Sequence, residues 1–193
     1  MAAHKEDLRI VKTKAALSSA FFEILTYTAF EDITVNELCE KASVRRATFY
    51  KHFKDKGDFI TSLIKDIRLR FDNEIWNSDA NPVMTKEYYL GYAESLINYL
   101  LGREAAMMKI VSSPIRSAFI DLFMHQNYED TKRRLKASEA AGIIHLSSSP
   151  DIVASMLVAG TAHAIVRWFV SDKRCSPEEL LLNISKITDT LLS

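Results

Sequence analysis

Apolar residues along this chain recur at the 3.6-residue spacing of α-helices. Between residues 8 and 28 one face runs through Ile10, Lys14, Leu17, Phe21, Ile24 or Leu25 and Thr28, with Val11, Ala15 and Phe22 widening it. Phe30 and Ile33 close that segment. A second long stripe starts after Asp55 and carries Phe59, Leu63, Ile67, Phe71 and Ile75 as far as Trp76, where Asn77 to Pro82 breaks it. Further helices are predicted at about 84–101, at 103–112, and at 114–140 with a break near His125 to Glu129. Ser149-Pro150-Asp151 opens an apolar helix reaching about Val170. Ser176-Pro177-Glu178-Glu179 opens a closing helix, with Leu180, Ile184, Ile187 and Leu191 on one stripe and Leu181, Thr188 and Leu192 on another. Past residue 82 there is no strand alternation, repeat or low-complexity stretch. The fold class is therefore all-α, with about nine helices.

Two short helices fall between the first two long ones. Thr34 is a good N-cap with Glu37 three residues on, and Val35, Leu38 and Ala42 give the helix one small apolar face. The chain turns at Ala42-Ser43-Val44, and Ala47 offers a small side chain for close helix contact. The second helix brings Arg45, Arg46, Thr48, Tyr50, Lys51 and His52 within about two turns. Two helices joined by a tight turn, the second rich in groove-reaching side chains, describe a helix-turn-helix.

Composition supports long helices, with five glycines and four prolines in 193 residues. The formal net charge is zero, which alone argues against nucleic acid. Its distribution argues for it: Lys41, Arg45, Arg46, Lys51, Lys54 and Lys56 face Asp55 alone between positions 41 and 56. An ordinary solvated face is the alternative for such a cluster. Cys39 and Cys175 have no metal spacing and read as free thiols in a reducing cytoplasm. The run from Ile152 to Val170 is long enough for a membrane span. It contains His163, Arg167 and several small residues, so a buried or interface helix is the better reading, with no membrane partner. No phosphate loop, nucleophile elbow or metal-spaced cluster occurs, so no catalytic residue, metal or cofactor is assigned and an enzyme is not expected.

The segment from Thr34 to Phe53 resembles the DNA-binding motif of the tetracycline-repressor (TetR/AcrR) family. The resemblance rests on Thr34, Val35, Leu38, Ala42, Val44, Thr48-Phe49-Tyr50, His52-Phe53 and Lys56, with Ala20-Phe21, Phe30 and Phe59 around them. It covers roughly the first 60 to 70 residues. Ser43 stands where the family usually has glycine, which strains the turn. Arg45 replaces a small hydroxyl residue, and Gly57 follows the lysine where an acidic residue is common. The resemblance implies a domain at 8–55 that binds DNA, with its motif at about 32–53, and a helical effector-binding and dimerisation domain at 56–193. It also implies backbone phosphate contacts for Tyr50 and for Lys56 at the start of the fourth helix.

From the residues themselves, Arg45 and Arg46 are candidates for reading bases, and Thr48 for a base methyl or a phosphate. Tyr50, Lys51, His52, Lys54 and Lys56 are candidates for phosphate, with Thr34 at the motif's entry. Phe49 and Phe53 are expected to pack inward. The helix from Ile152 to Phe169 is apolar on nearly every face and needs cover on both sides, which suits a homodimer interface. Its candidates are Ile152, Met156, Gly160, Ala164, Leu180, Ile184, Ile187 and Leu191, with monomer core as the alternative. The family dimerises through its last two helices, which agrees. Trp76, Tyr88, Tyr92, Phe119, Phe123, His125 and His163 are the candidates for an effector pocket, with ordinary core positions as the alternative.

The expected function is a cytoplasmic transcriptional regulator, a repressor, that binds a palindromic operator on double-stranded DNA as a homodimer. A small-molecule effector of unknown identity would release it. Gly160 to Phe169, followed by Ser176-Pro177-Glu178-Glu179-Leu180, also resembles a short Gram-positive subgroup with a tryptophan at the position of Trp168. That likeness implies the alternative, a regulator or co-activator acting through a protein partner instead of a small inducer.

Overall fold

Side-chain caps set several of the helix starts in the computed structural model, which describes residues 8–75, 83–114, 116–171 and 175–192. The helices are α1 (Leu8–Leu25), α2 (Val35–Lys41), α3 (Arg46–His52), α4 (Lys56–Ile75), α5 (Lys86–Leu101), α6 (Glu104–Val111), α7 (Arg116–Ala140), α8 (Pro150–Val170) and α9 (Pro177–Leu191), with a 3₁₀ turn at Phe30–Asp32. The hydroxyls of Thr34, Thr85 and Ser176 accept the N–H groups of Glu37, Tyr88 and Glu179 at 3.1, 3.1 and 3.2 Å, so α2, α5 and α9 begin where predicted. Pro150 and Pro177 occupy the first turns of α8 and α9. Among the described residues no strand forms; a single bridge pairs Leu146 with Leu192.

Two expectations about helix extent are corrected. α1 ends at Leu25, where Tyr27 N–H turns back to the Ile24 carbonyl at 3.0 Å. α7 is continuous through His125 to Glu129. Asn127 is satisfied within the helix, donating to the Phe123 carbonyl at 2.7 Å and accepting the Tyr92 hydroxyl at 2.5 Å. The expected break between Asn77 and Pro82, and Trp76, lie outside the described residues.

Contacts divide the chain into two units, one with the residues up to Asp66 plus Arg103–Ser117, the other with Ile67–Gly102 plus Ala118 onward. The division therefore falls inside α4, later than the expected 55/56 boundary. α6 belongs with the first unit because it packs on α1 and buries Ala106, Met107 and Ile110.

The first unit is a head whose core is built from phenylalanines. The Phe59 ring lies 5.7 Å from Phe21, 6.0 Å from Phe49 and 5.3 Å from Phe53 between centroids, and Phe49 and Phe53 are 5.2 Å apart. All four are buried, along with Leu17, Ile24, Leu25, Ile33 and Leu38. Edge-on and tilted ring pairs of this kind add about 0.5–1.5 kcal/mol each beyond the area they bury.

The second unit joins apolar packing to an ion cluster in which Arg134 is buried and Arg68, Asp72 and Asp130 are half-buried. Phe71 of α4 sits between Tyr92 and Tyr99 of α5 at 5.4 and 5.6 Å. Beside it Asp72 and Asp130 share Arg68 and Arg134. Arg134 Nη2 lies 3.0 Å from Asp72, Arg134 Nε 2.5 Å from Asp130, and Arg68 Nη1 2.5 Å from Asp130. The Tyr88 hydroxyl donates to Asp72, and Arg133 also pairs with Asp130. Burial pushes the Asp130 carboxyl up, but hydrogen bonds from Arg134 and Arg133 and the charge of Arg68 outweigh it, so the group sits below the usual aspartate range. A depressed carboxyl contributes stability fully present above the unfolded value of about 4 and lost as pH falls through the folded one. Asp130→Asn, which leaves Arg68 and Arg134 short of a buried counter-charge, is expected to cost about 3 kcal/mol in urea unfolding. The deficit should shrink as the pH drops below about 4.

Candidate nucleic-acid interface

The turn between α2 and α3 is a Schellman motif. Ala42 caps α2, Ser43 N–H returns to the Glu40 carbonyl at 3.1 Å, and Val44 N–H to the Cys39 carbonyl at 2.9 Å. This geometry puts Ser43 at φ 55, the left-handed region that favours glycine. α7 ends the same way, with Ile143 N–H on Ser138 and Gly142 N–H on Glu139, but there the left-handed residue is a glycine at φ 68. The strain expected of Ser43 is present.

α3 is two-faced. Phe49 and Phe53, four residues apart, anchor it in the head core. Arg46, Ala47, Tyr50, Lys51 and Lys54 are exposed on the other side, and Arg45 is exposed at the N-cap. The Arg46 guanidinium lies over the Tyr50 ring at 5.9 Å, which gives a long side chain a preferred direction before any partner arrives. Thr48 and His52 are half-buried at the edges of this face. Ala47 therefore does not serve close helix contact, as its size suggested. Thr34 is exposed, with its hydroxyl already engaged as the α2 cap.

Lys56 and Lys41 depart from the expected basic set. Lys56 Nζ donates to the carbonyls of Phe30 at 2.9 Å, Glu31 at 3.2 Å and Ile33 at 2.8 Å, and lies 4.4 Å from the centre of the Phe30 ring. Desolvation lowers its pKa, while Glu31 and Asp32 pull it back up. Its three protons are thus already committed to backbone, which counts against the expected phosphate contact. The α4 N-terminus is also occupied, since Asp58 N–H donates to Asp55 Oδ1 and Lys54 N–H to Asp58 Oδ2, both at 2.9 Å. Two carboxylates there disfavour an anion. Lys41 pairs with Glu23. The exposed cations of the motif that are not paired with a carboxylate among the described residues reduce to Arg45, Arg46, Lys51 and Lys54.

In the second unit, Tyr88, Tyr92 and Phe123 line a cavity of about 40 Å³ together with Arg68, Met84, Tyr89, Leu96, Asn127, Asp130, Thr131 and Thr161. Phe119 is half-buried and is not among the lining residues. His125 and His163 are exposed, which corrects their placement in a pocket: each falls on the outward side of its helix. The pairing of Arg68 with Asp130 has no signature in the sequence, because the two residues lie on different helices with no local spacing to announce it.

Of the residues expected at a dimer interface, Ile152, Met156 and Ile187 are 52, 55 and 64% exposed, and Gly160 is also exposed. Ala164 and Leu191 are half-buried. Leu180 and Ile184 are buried in the chain's own core, where α9 packs on α5 and α8, so they have little surface left for a partner. Leu182, not singled out in the sequence, is 56% exposed. α8 is long and apolar enough to cross a membrane by length and composition. Val153, Leu157, Ile165, Trp168 and Phe169 of the same helix are buried against the chain itself.

Nine helices among the described residues, with a helix-turn-helix near the N-terminus, define a class of regulator fold, and comparison identifies it. No protein-family model matches the sequence. The chain is 35% identical over 60 residues to YxbF of Bacillus subtilis (strain 168), described as an uncharacterized HTH-type transcriptional regulator. That match takes in 31% of this chain and only 16% of YxbF. It is 20% identical over 159 residues to the HTH-type transcriptional repressor DhaR of Mycobacterium sp. (strain GP1), covering 79% of this chain and 80% of DhaR. Among solved structures, a protein described as a TetR-family transcriptional regulator from Syntrophomonas wolfei superposes with a TM-score of 0.71 at 14% identity, over 94% of this chain and 95% of that one. FadR of Bacillus subtilis, solved with stearoyl-CoA, gives 0.64 at 17% identity over 90 and 96%. DhaS, a dihydroxyacetone kinase operon activator, gives 0.57 at 16% over 94 and 98%. The chain has the fold of the TetR-family transcriptional regulators.

Ser43→Gly is expected to relieve the turn and stabilise the head by roughly 0.5–1 kcal/mol, the left-handed penalty less the extra entropy of an unfolded glycine. Chemical unfolding of wild type and variant measures it; a loss of stability would contradict the strain.

Proposed function

We propose that this chain is a transcriptional regulator that binds double-stranded DNA as a homodimer through α3. The observation that carries the reading is the division of α3 itself. Phe49 and Phe53 hold the helix in the head core, and that leaves Arg45, Arg46, Tyr50, Lys51 and Lys54 together at the surface. Arg45 and Arg46 read base edges, where an arginine bidentate to guanine discriminates by about 1–3 kcal/mol. Thr48 contacts a base methyl or a phosphate, and Tyr50, Lys51, His52 and Lys54 contact phosphate. One head of this size grips few phosphates, and two copies reading a palindrome about 34–36 Å apart supply the rest. The exposed apolar residues Ile152 and Met156 of α8 and Leu182 and Ile187 of α9 support pairing through those helices.

In this reading the protein is a cytoplasmic repressor whose operator is a palindrome. Effector binding in the second unit changes the separation of the dimer's two heads. Such a change requires the effector to prefer one arrangement over the other. The cavity of about 40 Å³ is well below the roughly 300–1,000 Å³ of typical ligand sites, so a small molecule must widen it. The same smallness favours the second reading, control by a protein partner in place of a small inducer. A thermal-shift screen of metabolites separates the two, since only the first expects stabilisation that Tyr92→Ala abolishes.

Selection of bound duplexes from a random pool is expected to yield a palindrome. Arg46→Ala should lose about tenfold or more in affinity for it, with relaxed preference at one position of each half-site. Equal affinity of variant and wild type would remove Arg46 from base reading. In light scattering, wild type is expected at twice 21.9 kDa. Met156→Asp with Ile187→Asp is expected to give the monomer; a wild-type monomer at micromolar concentration would contradict the interface.

A further inference from the structure

Resting on the reading of α3 as the DNA-binding helix, we infer that Lys56 is a positioning residue for DNA recognition that does not itself contact the duplex. Its ammonium occupies a cage made by the backbone carbonyls of Phe30, Glu31 and Ile33, at 2.8 to 3.2 Å, under the face of the Phe30 ring. An ammonium has three donors, and the cage supplies three acceptors. Reaching a phosphate would give up at least one of these three hydrogen bonds, at a cost that offsets the new one to the phosphate.

The two ends of this tie explain its use. The carbonyls of Phe30 and Ile33 bracket the 3₁₀ turn that delivers the chain to Thr34, the cap of α2. Lys56 is the first residue of α4, directly after its cap Asp55. The α2–turn–α3 segment lies between these two points in the chain, so one side chain joins its entry to its exit. Phe59, one turn further along α4, packs on Phe49 and Phe53 of α3 from within. Pinning both entrances and the inner face fixes the direction in which Arg46 and Lys51 are presented. The cage is built of backbone atoms, which explains why the sequence alone suggested a phosphate contact: a lysine at a helix start beside N–H groups looks like an anion site until its carbonyl partners are seen.

The test is the salt dependence of duplex binding by full-length wild type, Lys51→Met and Lys56→Met, using a duplex selected by the wild type. Lys51→Met should lower the slope of log K against log salt by about 0.9, as one phosphate contact is lost. Lys56→Met should keep the wild-type slope while losing roughly tenfold in affinity at every salt concentration, as expected for one charge-assisted hydrogen bond's worth of head order. A slope reduced as much as in Lys51→Met overturns the inference. Failure of the wild type to bind any selected duplex would instead sink the reading of α3. Should Lys56→Met not fold, NMR of the wild-type ammonium decides. A resolved, slowly exchanging Lys56 Nζ signal that is unchanged on adding duplex supports the cage. A signal that exchanges freely, or shifts on binding, refutes it.

Discussion

The packing of Phe59 against Phe21, Phe49 and Phe53 is the contact on which the head depends. A seven-residue helix such as α3 has almost no stability of its own in water. It exists because Phe49 and, at its C-cap one turn on, Phe53 are buried against the Phe59 ring of α4. That same burial forces the remaining positions outward. The face with Arg46, Tyr50 and Lys51 is therefore a consequence of hydrophobic packing, and its chemistry follows from which side chains the pattern left over.

Charge is sorted in the same way. The chain is neutral as a whole, and the basic stretch from 41 to 56 separates into three kinds of cation. Lys41 is paired with a neighbouring carboxylate, Lys56 is enclosed by carbonyls, and Arg45, Arg46, Lys51 and Lys54 are left in solvent. Only the last group can neutralise phosphate without giving up an existing partner. In the second unit the charges turn inward instead. Asp72, Asp130, Arg68 and Arg134 satisfy one another in a nearly dry setting, where the loss of any one leaves a buried charge.

Much of this is legible in the residues because it is local. Caps at Thr34, Asp55 and Ser176, prolines at helix starts, and the inward spacing of Phe49 and Phe53 each act within a turn or two of chain. The strain at Ser43 is legible for the same reason. What escapes depends on distant partners. The cage around Lys56 spans 23 to 26 residues, and the Asp72–Arg134 pair spans 62. The exposure of His125 and His163 is hidden because an aromatic or histidine at helical spacing does not say which side of the helix the core will take. Leu180 and Ile184 point inward, against expectation, for a related reason: on α9 the apolar positions cover more than one face, and only packing against α5 and α8 chooses between them.

Burial of Phe49 and Phe53 should leave the outer face of α3 as the surface that meets DNA, and hydroxyl-radical footprinting of side chains can see both halves of that statement at once. The chain is footprinted alone and on a saturating selected duplex. Tyr50 and the side chains of Arg45, Arg46, Lys51 and Lys54 should lose reactivity on binding, while Phe49 and Phe53 stay protected in both states. Outer side chains as reactive on the duplex as off it, with protection arising elsewhere, would contradict this assignment of the surface.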